Sequence, residues 1–130
     1  GVAAASRGER WFTGALVNAG ATAEAIRAST PPLVTIVAMG WNADTRTDED
    51  ELTARFLRDR IEGRPVDADA VRRAILAAPE SQKFGDPARP WFHAEDRDIA
   101  LDIDRFDFAI EVVPRGGRLE AVRVDPRSMP

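Results

Sequence analysis

Leu33 to Met39 reads LVTIVAM. Four of these seven residues are β-branched and none is charged. Apart from Thr35, both the odd and the even positions are apolar. That is the pattern of a strand buried on both faces, the place of a central strand in a parallel sheet. Pro31 and Pro32 stand before it and end any helix upstream, because proline lacks the N–H and restricts the residue before it. That upstream helix is NAGATAEAIRAS, with Asn18 at its start. Before it, RWFTGALV (Arg10 to Val17) is a short apolar run that reads as a strand. Strand, helix and strand in this order predict a βαβ unit with a right-handed crossover.

Working outward, Gly40 to Arg46 falls in a loop at the carboxyl end of the central strand. Thr47 is suited to cap the next helix, and Asp50 three residues on makes a capping box with Asp in place of the usual Glu. Leu52, Phe56, Leu57 and Ile61 form an apolar stripe at helical spacing. Gly63 and Pro65 end that helix. Asp67 caps another, whose Val71, Ala74, Ile75 and Ala78 share a face. Pro79 to Pro90 reads mostly as loop, and His93 to Asp102 as helical. FDFAIEVVPRGGRLEAVRV then predicts a hairpin that alternates at Phe108, Ile110 and Val112 and turns at Arg115-Gly116-Gly117. The expected fold is α/β: helices layered on a mixed β-sheet with a C-terminal β-hairpin, in one domain over residues 1–130.

Composition narrows the function classes. Of 130 residues, 44% are hydrophobic and 31% charged, as in an ordinary soluble globular chain. No apolar run reaches the length of a membrane span and no signal peptide is visible, so the expected compartment is the cytoplasm and no membrane partner is expected. The absence of cysteine excludes a disulfide framework, a thiolate nucleophile and a Cys-ligated zinc site. Net charge is −4, and Lys83 is the only lysine among 18 basic residues. The arginines alternate with acids and form no basic block, which argues against a nucleic-acid partner. A first residue Gly1 in alanine-rich sequence suggests a piece of a longer protein.

In an open α/β sheet, ligands sit outside the carboxyl ends of the strands. Two segments fall there. In LVNAGATAE, small residues leave the N–H groups of Ala19, Gly20 and Ala21 accessible to an anion, with Asn18 adding a side-chain contact. The competing reading is a helix cap and a packing glycine. In GWNADTRTDEDELTARF, Asp44, Asp48, Glu49, Asp50 and Glu51 crowd into eight positions. Asp44, Glu49 and Asp50 suit Mg²⁺, which takes one or two carboxylates plus water and substrate phosphate. The competing reading is an acidic first turn that complements the helix dipole. Successive helix positions diverge by about 100°, so only some of these acids can face one ligand. His93 is the only histidine, and no Ser-His-Asp arrangement is formed around it. Asp96, Asp98, Asp102 and Asp104 read as a solvated face from which one acid could reach a metal.

The ordered series FTGALVNAGATAEAI, LVTIVAMG, TDEDELTARFLRDRIEG and DPARPWFHAEDRDIALDIDRFDFAIEV resembles the 2-phosphosulfolactate phosphatases, the ComB-like proteins. The resemblance runs from about Arg10 to Val124 and corresponds to the C-terminal half of that family's members. It implies a magnesium-dependent phosphatase of coenzyme M biosynthesis that acts on a small anionic phosphomonoester such as 2-phosphosulfolactate. By position it implies Glu49 and Asp50 as catalytic and metal-binding, Asp96 as a further metal ligand, and Asn18, Ala19 and Ser81 as substrate-binding. Gly20 and Arg10 would complete the anion site. Lys83 and Phe84 stand where the family has His-Gly. A half-length chain implies exposed strand edges, hence an oligomer or a complex with the N-terminal half. A non-catalytic assembly or binding module is the alternative.

Overall fold

The structure is a computed structural model and describes residues 8–42 and 44–129. The elements run β1 (Trp11–Thr13), a 3-10 turn Leu16–Asn18, α1 (Ala19–Ala28), α2 (Asp48–Ile61), α3 (Ala68–Ala77), a 3-10 turn Pro79–Lys83, α4 (Ala94–Ala100), β2 (Ala109–Arg115), β3 (Arg118–Val124) and a last 3-10 turn Pro126–Ser128. Helices and sheet are both present, as expected of an α/β chain. The sheet itself differs: its order is β1-β2-β3 and both pairings are antiparallel, so it is not mixed.

The difference traces to Leu33–Met39. This segment is in no helix and no ladder, and it is exposed from Leu33 to Val37. The predicted βαβ crossover is therefore not formed among the described residues. A strand exists only when an edge pairs with it. β2, the central strand, already has β1 on one side and β3 on the other. Periodicity reports that LVTIVAM suits a central position; it does not supply the neighbours. The first expected strand is also shortened. Only Trp11–Thr13 pairs, opposite Val112, Glu111 and Ile110, because Leu16 turns away to become 4% exposed in the helical core.

The hairpin forms as its glycines demand. Gly116 and Gly117 have φ of 54° and 77°, the pair of positive values that a two-residue type I′ turn needs to match the strand twist. Arg115 faces Arg118 across it. The buried residues of β2 are Ala109 and Val112, three apart, so burial does not follow strict alternation through Phe108, Ile110 and Val112.

The core lies between helices. Leu16, Ala19, Phe56, Leu57, Ile75 and Leu101 form its buried cluster, with Leu52, Val66, Val71 and Ile103 packed against it. α1 contacts α2 and β2. Its buried face is Ala19, Ala21, Thr22, Ala23 and Ala25, side chains small enough for close approach of its neighbours. α2 ends at Ile61 and Gly63 follows with φ of 70°, the left-handed turn typical after a helix. Asp67 caps α3 by accepting from the Ala70 N–H at 2.8 Å.

Arg10 closes the β1–β2 edge. Its Nε and Nη2 each donate to the Glu111 carboxylate at 2.7 Å. That hydrogen bond, helped by the guanidinium charge, holds the Glu111 carboxyl below its usual value of about 4.5. A depressed carboxylate contributes its stability above the ordinary pKa and loses it as pH falls through the lowered one. We therefore expect unfolding free energy to fall as pH drops below about 4.5 through loss of this pair. Glu111→Gln should cost up to about 1 kcal/mol at neutral pH and should flatten part of the acid dependence. Urea titrations of both proteins across acid pH measure the difference.

Candidate functional site

The head of α2 carries Asp48, Glu49, Asp50 and Glu51 in its first turn, with Asp44 just before. The structure gives these five acids different tasks. Glu51 pairs with Arg46 at 2.8 Å, and hydrogen bonding from Arg46 lowers its pKa. Asp44 accepts from the Thr45 hydroxyl at 2.9 Å. Asp48 is exposed. Asp50 Oδ2 accepts from the Gly40 N–H at 2.7 Å and from the Thr47 hydroxyl at 3.1 Å. Asp50 thus ties the end of the Leu33–Met39 segment to the start of α2. The expected capping box is altered: Thr47 sits at the cap position but its side chain caps no helix N–H, and its hydroxyl serves Asp50 instead.

Glu49 is what remains. It is half-buried, and its Oε2 is enclosed without a hydrogen-bond partner. An enclosed carboxylate oxygen with no donor is costly to keep and is chemically free to take a cation. Glu80 Oε2, on the turn before Lys83, is the other carboxylate oxygen in that condition among the described residues. Asp96 lies exposed in the first turn of α4. Among the described residues, no group of three or more His, Cys, Asp or Glu side chains is arranged to hold a metal ion. Glu49, Asp50 and Asp96 are thus not gathered into one three-carboxylate cluster.

One donor of the expected anion cradle at the start of α1, the Gly20 N–H, is taken from within the chain. Gly20 N–H donates to Asp104 Oδ1 at 2.6 Å, and Arg60 pairs with the other carboxylate oxygen. A Cβ on Gly20 would stand 2.9 Å from Asp104 Oδ1, so glycine is what lets this carboxylate approach. Asp104 adopts φ of 59°, a left-handed conformation that Asp tolerates better than most residues. Its N–H bonds the Leu16 carbonyl at 3.0 Å, and Phe106 N–H bonds that of Val17 at 2.8 Å. Asn18 is 3% exposed and turns backward, accepting from the Ala15 N–H at 3.1 Å without capping α1. Ala19 is buried outright. A cleft of about 250 Å³ beside Gly20 is lined by Glu24, Asp104, Asp107 and Arg127, a surface more acidic than an anion prefers.

Asp104→Ala removes a charged acceptor from the Gly20 N–H and the partner of Arg60. Hydrogen bonds to charged groups are worth about 1.5–3 kcal/mol; with both partners a third exposed, a loss of about 2 kcal/mol is expected. Asp104→Asn keeps an acceptor and a side chain tolerant of positive φ, and should lose less than half as much. Thermal melts of the two variants rank them.

Two other expected substrate contacts are also committed elsewhere. Arg10 is held by Glu111. Ser81 is 5% exposed and donates to the Ile75 carbonyl at 2.5 Å, closing the end of α3. The sequence offers no role for Lys83 beyond its place in the family's pattern. In the fold its ammonium lies over three rings, 4.9 Å from the centre of Phe92, 5.6 Å from Phe84 and 5.9 Å from Trp41. Cations are held over aromatic faces by the ring quadrupole. No carboxylate pairs with it among the described residues. Trp41 follows Gly40, so these contacts bring the loop after α3 to the turn that Asp50 pins. A single lysine among 18 basic residues, followed by Phe84 and Trp91-Phe92, is the only sequence signal for it.

The sequence model of the family 2-phosphosulpholactate phosphatase matches residues 2–99. The match takes in α1, the head of α2, Ser81, Lys83 and Asp96, and ends before the β2–β3 hairpin. No curated protein and no solved structure matches the chain. No helix among the described residues is long and apolar enough to cross a membrane.

Proposed function

The chain belongs to the 2-phosphosulpholactate phosphatase family, and on that premise we propose that it serves Mg²⁺-dependent hydrolysis of a small anionic phosphomonoester, 2-phosphosulfolactate being the first to test. The observation that carries the reading is Glu49, whose enclosed Oε2 has no partner at the head of α2. Such an oxygen suits a hard cation. Glu49 and the oxygen of Asp50 not used by Gly40 and Thr47 would hold Mg²⁺; bound there, it would polarise the phosphoryl group and lower the pKa of a bound water. Asp50 keeps the Gly40 turn in place. Lys83, held over the Trp41 ring one residue from Gly40, supplies a cationic contact for the ester's anionic groups. The rings fix its position and so reduce the entropy lost when the anion binds.

A second reading has specific support. Asn18 Oδ1, the Gly20 N–H, Arg10 Nε and Nη2, and the Ser81 hydroxyl are each bonded within the chain. A binding or assembly module without catalysis would look like this.

Phosphate release from 2-phosphosulfolactate, with Mg²⁺ and with EDTA, separates the two. Turnover that requires Mg²⁺ supports the phosphatase reading. Neither turnover nor Mg²⁺ binding by calorimetry leaves the module. If turnover is present, Lys83→Ala should raise KM about tenfold, or ~1.4 kcal/mol, with kcat little changed. Lys83→Arg should recover most of the loss.

A further inference from the structure

Two of the three rings around Lys83 belong to its own segment, and one does not. Phe84 is its neighbour in the chain. Phe92 is tied to the same loop, since its carbonyl accepts from the Gly85 N–H at 2.8 Å and its ring meets that of Phe84 edge to face at 5.4 Å. These rings fix the ammonium within its own loop. Trp41 comes from the other side of the site. Among the described residues, no hydrogen bond or ion pair joins residues 79–93 to residues 40–51. The electrostatic contact that crosses between them is Lys83 over the Trp41 ring at 5.9 Å. Trp41 is in turn held from α2. Gly40 has φ of 65°, and a Cβ there would collide with the Thr45 carbonyl oxygen, so the chain turns sharply just before the indole. Trp41 and Thr45 exchange backbone hydrogen bonds at 2.8 and 3.1 Å, which closes the turn. Its link to α2 is Asp50 Oδ2, which accepts from the Gly40 N–H at 2.7 Å.

We propose that Asp50 and Trp41 are positioning residues for Lys83. Asp50 fixes the Gly40 turn, the turn presents the indole, and the indole sets the ammonium against the head of α2, where the anion arrives. The inference rests on the reading of Lys83 as the ester's cationic contact, and it gives Asp50 a task that needs no metal. It also fixes a sign. Asp50 is a negative charge beside an anion site. Acting through charge alone, it would repel phosphate, and its removal would tighten phosphate binding in the absence of Mg²⁺. Acting through the turn, its removal has the opposite effect. Without an acceptor for the Gly40 N–H the indole is released, and the ammonium must be ordered anew each time an anion binds. Asparagine separates the two effects, because it loses the charge and keeps a side-chain acceptor.

The test is a titration with inorganic phosphate in EDTA, followed by amide NMR shifts. Trp41→Leu is expected to weaken binding about two- to fivefold, the worth of a cation held over an exposed ring. Trp41 is 63% exposed, so this change leaves the core intact, and Trp41→Phe should restore most of the loss. Asp50→Ala is expected to weaken binding by a similar factor, and Asp50→Asn to bind no more weakly than the unaltered chain. In a Lys83→Ala background, Trp41→Leu should add nothing further, because its effect passes through the ammonium. Where turnover is measured, Trp41→Leu should raise KM with kcat little changed. An unaltered chain that binds no phosphate overturns the proposal. So does an Asp50→Ala protein that binds phosphate as well as the unaltered chain or more tightly, or a Trp41→Leu loss that is the same with and without Lys83. The phosphatase reading is decided separately by Mg²⁺-dependent turnover. The expected binding pattern without turnover would sink that reading alone, and turnover without the pattern would sink the positioning role alone.

Discussion

Phe56→Ala is expected to remove about 3–5 kcal/mol of stability, the range for deleting a large buried aromatic side chain. Phe56 is 2% exposed and is the largest fully buried side chain among the described residues. It meets Leu16 and Ala19 from the start of the chain, Ile75 from α3 and Leu101 after α4 in one cluster. No other buried side chain of the cluster is large enough to fill the space it would leave. Its ring also lies 5.3 Å from the Arg60 guanidinium carbon, so the loss reaches the Arg60–Asp104 pair that holds the loop after α4 to α2. Small domains have only about 5–15 kcal/mol in total. The variant should therefore unfold at a much lower urea concentration, with a midpoint shifted by roughly 1.5–2.5 M for a slope near 2 kcal/mol/M. Arg55→Ala, one residue earlier and exposed, should change stability by less than about 0.5 kcal/mol, a midpoint shift of less than about 0.25 M. Equal shifts for the two would mean that helix propensity, not burial, sets the cost.

Glu49→Gln is expected to move stability and activity in opposite directions. In the protein without metal, Glu49 Oε2 is enclosed with no donor. Replacing the carboxylate by a neutral amide of the same shape relieves that desolvation, so the melting temperature should hold or rise, by the equivalent of about 1 kcal/mol. Mg²⁺ binding by calorimetry should be lost and Mg²⁺-dependent turnover should fall about a hundredfold or more, about 2.7 kcal/mol of transition-state stabilisation. Glu80→Gln, which removes the other enclosed carboxylate oxygen, should leave turnover within about twofold. A Glu49→Gln protein that melts earlier and still binds Mg²⁺ would assign Glu49 to the fold and leave the acids of α2 as dipole partners only.

The acidic helix start shows how much of the site is legible in the sequence. Five acids within eight positions, and a helix geometry that lets only some of them face one ligand, are enough to frame the question. The resemblance to the phosphatase family singles out Glu49 and Asp50. Which of their oxygens are taken is not written there, because it depends on Gly40 and Thr47 both reaching Asp50 Oδ2. At α1, the anion-accepting N–H groups are a local property of the backbone and can be read from small residues at a helix start. The anion that takes the Gly20 N–H is Asp104, from 84 residues away. In the sequence Asp104 is indistinguishable from Asp102 or Asp98, and only the folded chain selects it.

By itself the sequence determined what depends on near neighbours: the spans of the four helices to within a turn, the Asp67 cap, the Gly116-Gly117 hairpin, the absence of thiol chemistry and the family. The local features follow from propensity, capping and turn geometry, which act over a few residues. Tertiary structure alone decided that β1 pairs with β2, that the sheet is antiparallel, that Lys83 rests on Trp41, and that Leu33–Met39 has no paired strand among the described residues. Strand pairing and long-range ion pairs are relations between distant segments. A pattern such as LVTIVAM states what a strand requires of its neighbours, and whether they are present is a property of the assembled fold.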